Sequence, residues 1–166
     1  MHLLGGVVYT PQLDGDGITP QEALADPNSP LMQSFRPAFL NIPNLSGIVA
    51  DTHFRERDRI GRSLAFVVQS AASQSIMADE GTALMIDGAV GKVAGPGAVY
   101  FAAPPAGAIP PGSKLTVGQS DVLRLRAGEP GFDLQAWAPA PVSYPVKVDQ
   151  GTITPAYPYG PYYGNP

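Results

Sequence analysis

Apolar positions recur along the chain with two periods. Leu64, Val67, Val68 and Ala71 repeat at helical spacing, and Ile60, Leu64, Val67 and Ala71 fall on one stripe at ~100° per residue. The stripe predicts a helix over residues 58–72. Just before it, residues 46–50 are short and mostly apolar, which predicts a buried strand. Short strands follow at 76–78, 83–87, 91–94 and 98–102, with Asp87-Gly88 as a hairpin turn between two of them and Asp79-Glu80-Gly81 in the first turn of the set. After a proline-glycine loop at 104–112, residues 114–117 and 122–126 predict a second pair of strands, and 132–137 a last short element.

The N-terminal part is punctuated more tightly. Thr19-Pro20-Gln21-Glu22 is a helix start, with Thr19 as cap, Pro20 in the first turn and Glu22 completing a capping box. Asp26-Pro27 stops that helix. Ser29-Pro30 opens another short one that runs through Phe35 and ends before Pro37, and residues 41–44 form a loop. Leu3-Leu4 followed by Gly5-Gly6 reads equally well as the end of a helix whose start is missing or as a short, frayed apolar N-terminus. From Pro139 onward periodicity is absent and Tyr, Pro and Gly dominate. Residues 139–166 are therefore expected to be an extended or disordered tail beside a globular part at 1–138.

Composition narrows the classes. The 166 residues suit one domain able to bury a core. A charged fraction of 14% and an apolar fraction of 44% argue against bulk disorder. A net charge of −4 argues against nucleic acid as a general partner, and no apolar run approaches the roughly 20 residues that span a bilayer. With no cysteine there is no disulfide, thiolate metal site or cysteine nucleophile. No signal peptide is visible at Met1; cytoplasm is slightly favoured over secretion, and the compartment is otherwise open.

Against this acidic background, residues 55–62 hold four of the ten Lys and Arg residues, next to His53, one of two histidines. The cluster sits where a strand hands over to a helix, the place where α/β proteins mount ligands and catalytic groups. If the strands on either side of that helix are parallel, their ends lie at one edge. His53 could then face Glu80, with the carboxylate orienting the imidazole. The competing reading has Arg55, Arg57, Arg59 and Arg62 on a solvated helix face paired with Glu56 and Asp58, and pattern alone favours it. A nucleophile is missing from either picture, because no Gly-x-Ser-x-Gly elbow occurs. Asp14 and Asp16 with two glycines hint at a calcium loop but lack the later ligands and terminal Glu of an EF-hand, so no metal or other cofactor is assigned.

Asp51-x-His53-Phe54-x-x-Arg57-x-Arg59-x-x-Arg62 resembles the signature of the cyanophycinases, serine peptidases of the S51 type. Asp79-Glu80-Gly81-Thr82-Ala83-Leu84 and Gly95-x-Gly97-Ala98-Val99-Tyr100-Phe101 continue the resemblance in order, over about residues 1–136. The resemblance implies an α/β fold, a three-layer sandwich like that of class I glutamine amidotransferases, of which this chain would carry the C-terminal half. It implies a serine on an elbow upstream of this chain, His53 as general base and Glu80 as its orienting acid. Asp51, Arg57, Arg59 and Arg62 become the substrate-binding set, by bidentate pairing with the arginine and carboxylate groups of a β-aspartyl-arginine peptide. The implied reaction is hydrolysis of cyanophycin to dipeptides by acyl transfer, and the isolated chain would be inactive. Two departures stand out: Thr52 occupies the place of the family's Gln, and Ser73-Gln74-Ser75 replaces a glycine-rich lead.

The implied partner is a peptide or cyanophycin-like substrate, not nucleic acid or membrane, and a homodimer of the full-length protein is left open. The alternative is a non-catalytic peptide-binding or scaffold fragment, with the tyrosine-proline tail in a surface or assembly role. As half of a fold, the chain would expose a sheet edge and apolar helix faces.

Overall fold

A computed structural model describes residues 5–11, 17–33, 35–38, 40–105, 109–110, 112–138, 142–155 and 163. The chain forms β1 (Val7–Tyr9), helix α1 (Pro20–Ala25), a 3₁₀ turn at Pro30–Gln33, β2 (Phe35–Pro37), a second 3₁₀ turn at Pro43–Leu45 and β3 (Ile48–Thr52). Helix α2 (Ile60–Gln69) and then β4 (Gln74–Ala78), β5 (Ala83–Asp87), β6 (Val90–Ala94) and β7 (Ala98–Ala102) follow. The last strands are β8 (Val117–Arg126), β9 (Phe132–Asp133), β10 (Val142–Asp149) and β11 (Thr152–Thr154). Met1 to Leu4, Asp14 and Asp16 lie outside the described residues.

This is a mixed α/β fold built on one large sheet. Eight strands run in the order β11-β10-β8-β7-β4-β3-β1-β2, and β5, β6 and β9 make a smaller sheet. The pairs β1–β3 and β3–β4 are parallel, and the other neighbours in the large sheet are antiparallel. Alternation along the strands sends side chains to two separate cores. Val49, Met77, Tyr100, Val122 and Val146 join the residues of α2 in one. Ile48, Ile76, Val99, Phe101 and Leu125 join Val93 and Phe132 of the small sheet in the other, where Phe101 and Phe132 stack at 3.9 Å.

Local signals produced what they predict. Thr19 caps α1: its Oγ1 accepts the Glu22 N–H at 3.2 Å, and Glu22 Oε2 accepts the Thr19 N–H at 2.8 Å. Gly88, at φ 58°, turns β5 into β6. Three predicted elements differ. The helix expected over 58–72 begins at Ile60 and ends at Gln69, because residues 53–59 are a turn. The short helix expected to reach Phe35 is a 3₁₀ turn, since Phe35 pairs with Tyr9 as the first residue of β2. Residues 114–126 hold one long strand instead of two, because β10 pairs with Ser120 and Asp121 and keeps that stretch extended.

The expectation for residues 139–166 also needs correcting. Residues 142–154 are strands of the large sheet and not a tail apart from it. In β10, Val142, Tyr144, Val146 and Val148 are the more buried positions, and Ser143, Pro145, Lys147 and Asp149 face solvent. That is a period-2 pattern with a proline inside it. Pro145 is tolerated because β11 pairs only with residues 147–149, so one side of Pro145 has no ladder to complete. Val148 is fully buried. Val148→Ala should therefore lower the unfolding free energy by about 2 kcal/mol, and Ser143→Ala by less than about 0.5 kcal/mol, in urea denaturation. Equal effects would place this hairpin outside the cooperative unit.

Candidate functional site

β3 and β4 are parallel and in register, with Thr52 level with Ala78. The chain therefore leaves both strands at the same edge of the sheet. Residues 53–59 form the turn after β3, and residues 79–82 the turn after β4. The first turn is closed by its own backbone: Arg57 N–H donates to His53 O at 3.1 Å, Asp58 N–H to Arg55 O at 3.2 Å and Arg59 N–H to Phe54 O at 3.0 Å. His53 at φ 49° and Asp58 at φ 46° both adopt left-handed backbone, which costs a non-glycine residue about 1 kcal/mol or more.

The two turns bring His53 and Glu80 together. His53 Nδ1 lies 3.7 Å from Glu80 Oε2, with the two side chains 37% and 66% exposed. At that exposure the pair adds little to folding, so stability gives no reason for the strained backbone under His53. Nδ1 faces the carboxylate, which leaves Nε2 as the nitrogen available for proton transfer. Among the described residues, no serine or threonine hydroxyl is hydrogen-bonded to His53.

Beneath this pair lie two buried carboxylates. Asp51, 2% exposed, is held by two of the four arginines that follow it, Arg59 and Arg62. Arg59 Nη1 donates to its Oδ1 at 2.7 Å, Arg62 Nη2 donates to the same oxygen at 2.8 Å, and Arg62 Nε donates to Oδ2 at 2.9 Å. Arg59 also reaches Thr52 O at 2.7 Å, and Arg62 reaches Ile18 O at 3.0 Å. The Arg62 guanidinium lies 5.0 Å over the Phe66 ring. Burial pulls the Arg59 pKa below its ordinary value, against the pull of Asp51 in the other direction. Asp51, Arg59 and Arg62 thus bind one another inside the protein, so the solvated helix face expected for these arginines does not form, and the groups expected to pair directly with a substrate are spent on each other. Arg57 is exposed, and its guanidinium has no carboxylate partner among the described residues.

Asp79 is the second buried carboxylate. Its Oδ1 accepts the Arg55 N–H at 3.1 Å, and its Oδ2 accepts the Ala98 N–H at 3.0 Å and the Tyr100 hydroxyl at 3.2 Å. It stitches both turns to β7. Gly97 is required here, since a Cβ would lie 2.6 Å from Asp79 Cβ and from Thr82 Oγ1. The adjacent acids of Asp79-Glu80 therefore divide their work: Asp79 holds the frame and Glu80 meets the histidine. Burial lifts the Asp79 pKa above the ordinary carboxylate range, although its amide hydrogen bonds pull the other way. Burial also raises the Tyr100 pKa, and the Asp79 charge adds to that rise.

No family model matches the chain. No curated protein matches its sequence either. The chemistry therefore rests on the placement of these residues. Of the residues singled out in the sequence, the structure unites His53 with Glu80 and Asp51 with Arg59 and Arg62, and it leaves Arg57 at the surface. Sequence reasoning passed over Asp58, Asp79 as the framing acid, Tyr100 and Tyr163. Asp79 and Tyr100 lie inside the motifs that were singled out. Tyr163 carries no local signal, since it meets Asp58 across 105 positions. No helix among the described residues is long and apolar enough to cross a membrane.

Two outcomes follow from the buried pair of carboxylates. Asp51→Ala leaves two guanidinium groups buried without their anion, and should cost about 3–5 kcal/mol in urea denaturation. A loss below about 1 kcal/mol would show that both arginines escape to water. For Asp79, the folded state keeps the proton to higher pH than the unfolded chain does. Its contribution to stability therefore falls as pH rises from the unfolded value, about 4, through the raised folded value. The Asp79 carboxyl carbon should titrate above about 4 by NMR, and Asp79→Asn should remove a falling component from the stability profile in that window. A midpoint at or below the ordinary value would mean that the amide hydrogen bonds outweigh burial.

Proposed function

We propose that this chain is the C-terminal part of a serine-type peptidase of the cyanophycinase type, whose whole fold is a three-layer sandwich like that of class I glutamine amidotransferases. The observation that carries the reading is the juxtaposition of His53 and Glu80 at the ends of two adjacent parallel strands, with His53 on strained backbone. Strain of this kind is concentrated at functional sites. The ordered motifs around Asp51, Asp79 and Gly95 support the same reading.

In this mechanism a serine from a segment upstream of Met1 attacks the carbonyl of a β-aspartyl-arginine peptide. His53 Nε2 takes the serine proton and passes it to the leaving amine, and a water then cleaves the acyl-enzyme with His53 again as base. Glu80, opposite Nδ1, holds the imidazole in the tautomer that leaves Nε2 free to accept. Arg57 is the most exposed arginine of the cluster, and it pairs with a substrate carboxylate. Asp51, Arg59 and Arg62 serve the substrate site by fixing the turn that carries His53 and Arg57.

A second reading has its own support. Because no hydroxyl among the described residues is hydrogen-bonded to His53, the chain could act as a non-catalytic module that binds acidic or arginine-bearing peptides, or as a scaffold fragment. The coding sequence upstream of Met1 separates the two. A Gly-x-Ser-Ala-Gly elbow is expected there, and its absence would overturn the peptidase reading. In the extended protein, release of β-aspartyl-arginine dipeptide should fall by about a hundredfold or more in His53→Ala, with an unchanged circular dichroism spectrum. For the binding module, Arg57→Ala should weaken a calorimetric titration with an aspartate-rich peptide while leaving stability within about 0.5 kcal/mol.

A further inference from the structure

Tyr163 lies against the turn that carries His53. Tyr163 is 3% exposed, and its ring packs edge-on against Phe54 at 5.3 Å and against Tyr100 at 6.1 Å. Phe54 and Tyr100 themselves lie 4.6 Å apart and are fully buried, so the three rings form one aromatic cluster. The polar ends of Tyr163 are also met. Its hydroxyl donates to Asp58 Oδ1 at 2.6 Å, and its carbonyl shares the Tyr100 hydroxyl proton, at 3.2 Å, with Asp79 Oδ2. The residue thus has an apolar wall, an anionic acceptor for the phenol and a donor for the backbone. That is what recognition of a tyrosine within a peptide requires.

The acceptor lies in the strained turn itself. Asp58 is the second left-handed residue there, and the Arg57 and Arg59 amides on either side of it close the turn onto His53 O and Phe54 O. A contact that holds Asp58 and Phe54 therefore holds the backbone on which His53 stands. We propose that Phe54, Asp58 and Tyr100 form a tyrosine-recognition pocket that the chain fills with its own Tyr163, and that the tyrosine of a peptide can take its place. The pocket is distinct from the exposed His53–Glu80 pair, and the inference does not rest on the peptidase reading.

The test uses the full chain carrying Tyr163→Ala and a synthetic peptide of residues 156–166 added in trans. Hydrogen exchange at the amides of Arg57, Asp58 and Arg59 should speed up by about tenfold or more in Tyr163→Ala, while amides at the C-terminal end of α2 keep their rates. The peptide should restore the protection. The same peptide with Phe in place of Tyr163 should bind about tenfold more weakly by calorimetry, because the bond to a charged acceptor is lost. Unchanged exchange in Tyr163→Ala, or equal rescue by a peptide with Ala at that position, overturns the proposal. If Tyr163→Ala does not fold, Tyr163→Phe is the deciding variant. It keeps the ring and removes only the Asp58 bond, and unchanged exchange at Asp58 and Arg59 overturns the proposal. Failure of the peptidase assay would leave these readouts unmoved, so the two ideas fail separately.

Discussion

The Asp51 carboxylate is the fixed point of the sheet edge where β3 and β4 end. It sits at the end of a buried strand, and three guanidinium N–H groups and the Thr52 N–H converge on its two oxygens. An isolated carboxylate there would be very costly, as would two isolated guanidinium groups. Together they satisfy one another, and the remaining arginine donors reach the carbonyls of Thr52 and Ile18. The effect is geometric as much as energetic. Asp51 belongs to β3, Arg59 ends the turn, Arg62 lies in the first part of α2, and Ile18 precedes α1. One carboxylate thus fixes the strand, the helix and the approach to a second helix at a single place.

Asp79 performs the neighbouring task with different chemistry. Its donors are two amides and a phenol, none of them charged. Burial outweighs the pull of the amide hydrogen bonds and lifts its proton affinity. Glycines make room around it. Gly95, at φ 117°, and Gly97 let the backbone before β7 approach the second turn at distances that a side chain would block. Two adjacent parallel strands therefore end in two buried carboxylates, and the exposed His53 and Glu80 stand above this frame. The inner pair fixes the turns, which leaves the outer pair free of structural duty.

What could be read from the sequence was what short-range physics decides. The Thr19–Glu22 capping box, the Asp87-Gly88 hairpin and the strands before and after α2 each have their causes within a few residues. The meeting of His53 and Glu80 was also legible, because parallel neighbouring strands deliver their ends to one edge. The arginines were misread for a definite reason. Helical spacing placed Arg59 and Arg62 on a solvent face, but the helix begins only at Ile60, and an acid inside the preceding strand draws both side chains inward. Distant partners account for the remaining differences. The strand at 117–126 runs through because β10 supplies its ladder, and the 142–154 hairpin exists because β8 was already waiting for it. Proline in a period-2 stretch hid that hairpin, although the alternation from Val142 to Asp149 was present.

The strain in the 53–59 turn follows from this arrangement. It is tied at Arg59, which holds Asp51 of the preceding strand, and again at Arg55, whose amide meets the Asp79 carboxylate. The residues between must span what is left, and His53 and Asp58 take up the difference in left-handed backbone. His53 recovers little of that cost through Glu80, since their approach is long and solvated. The compensation comes from below, through Asp51 and Asp79, and from the side, through the Tyr163 bond to Asp58. His53 is therefore placed by its backbone, and Glu80 meets only its Nδ1 side. Its ring keeps polar atoms that are not committed to the fold, while its Cα is held by buried charge. Its position is thus set without using up the atoms of its ring, which is how a supporting shell preorganises a side chain.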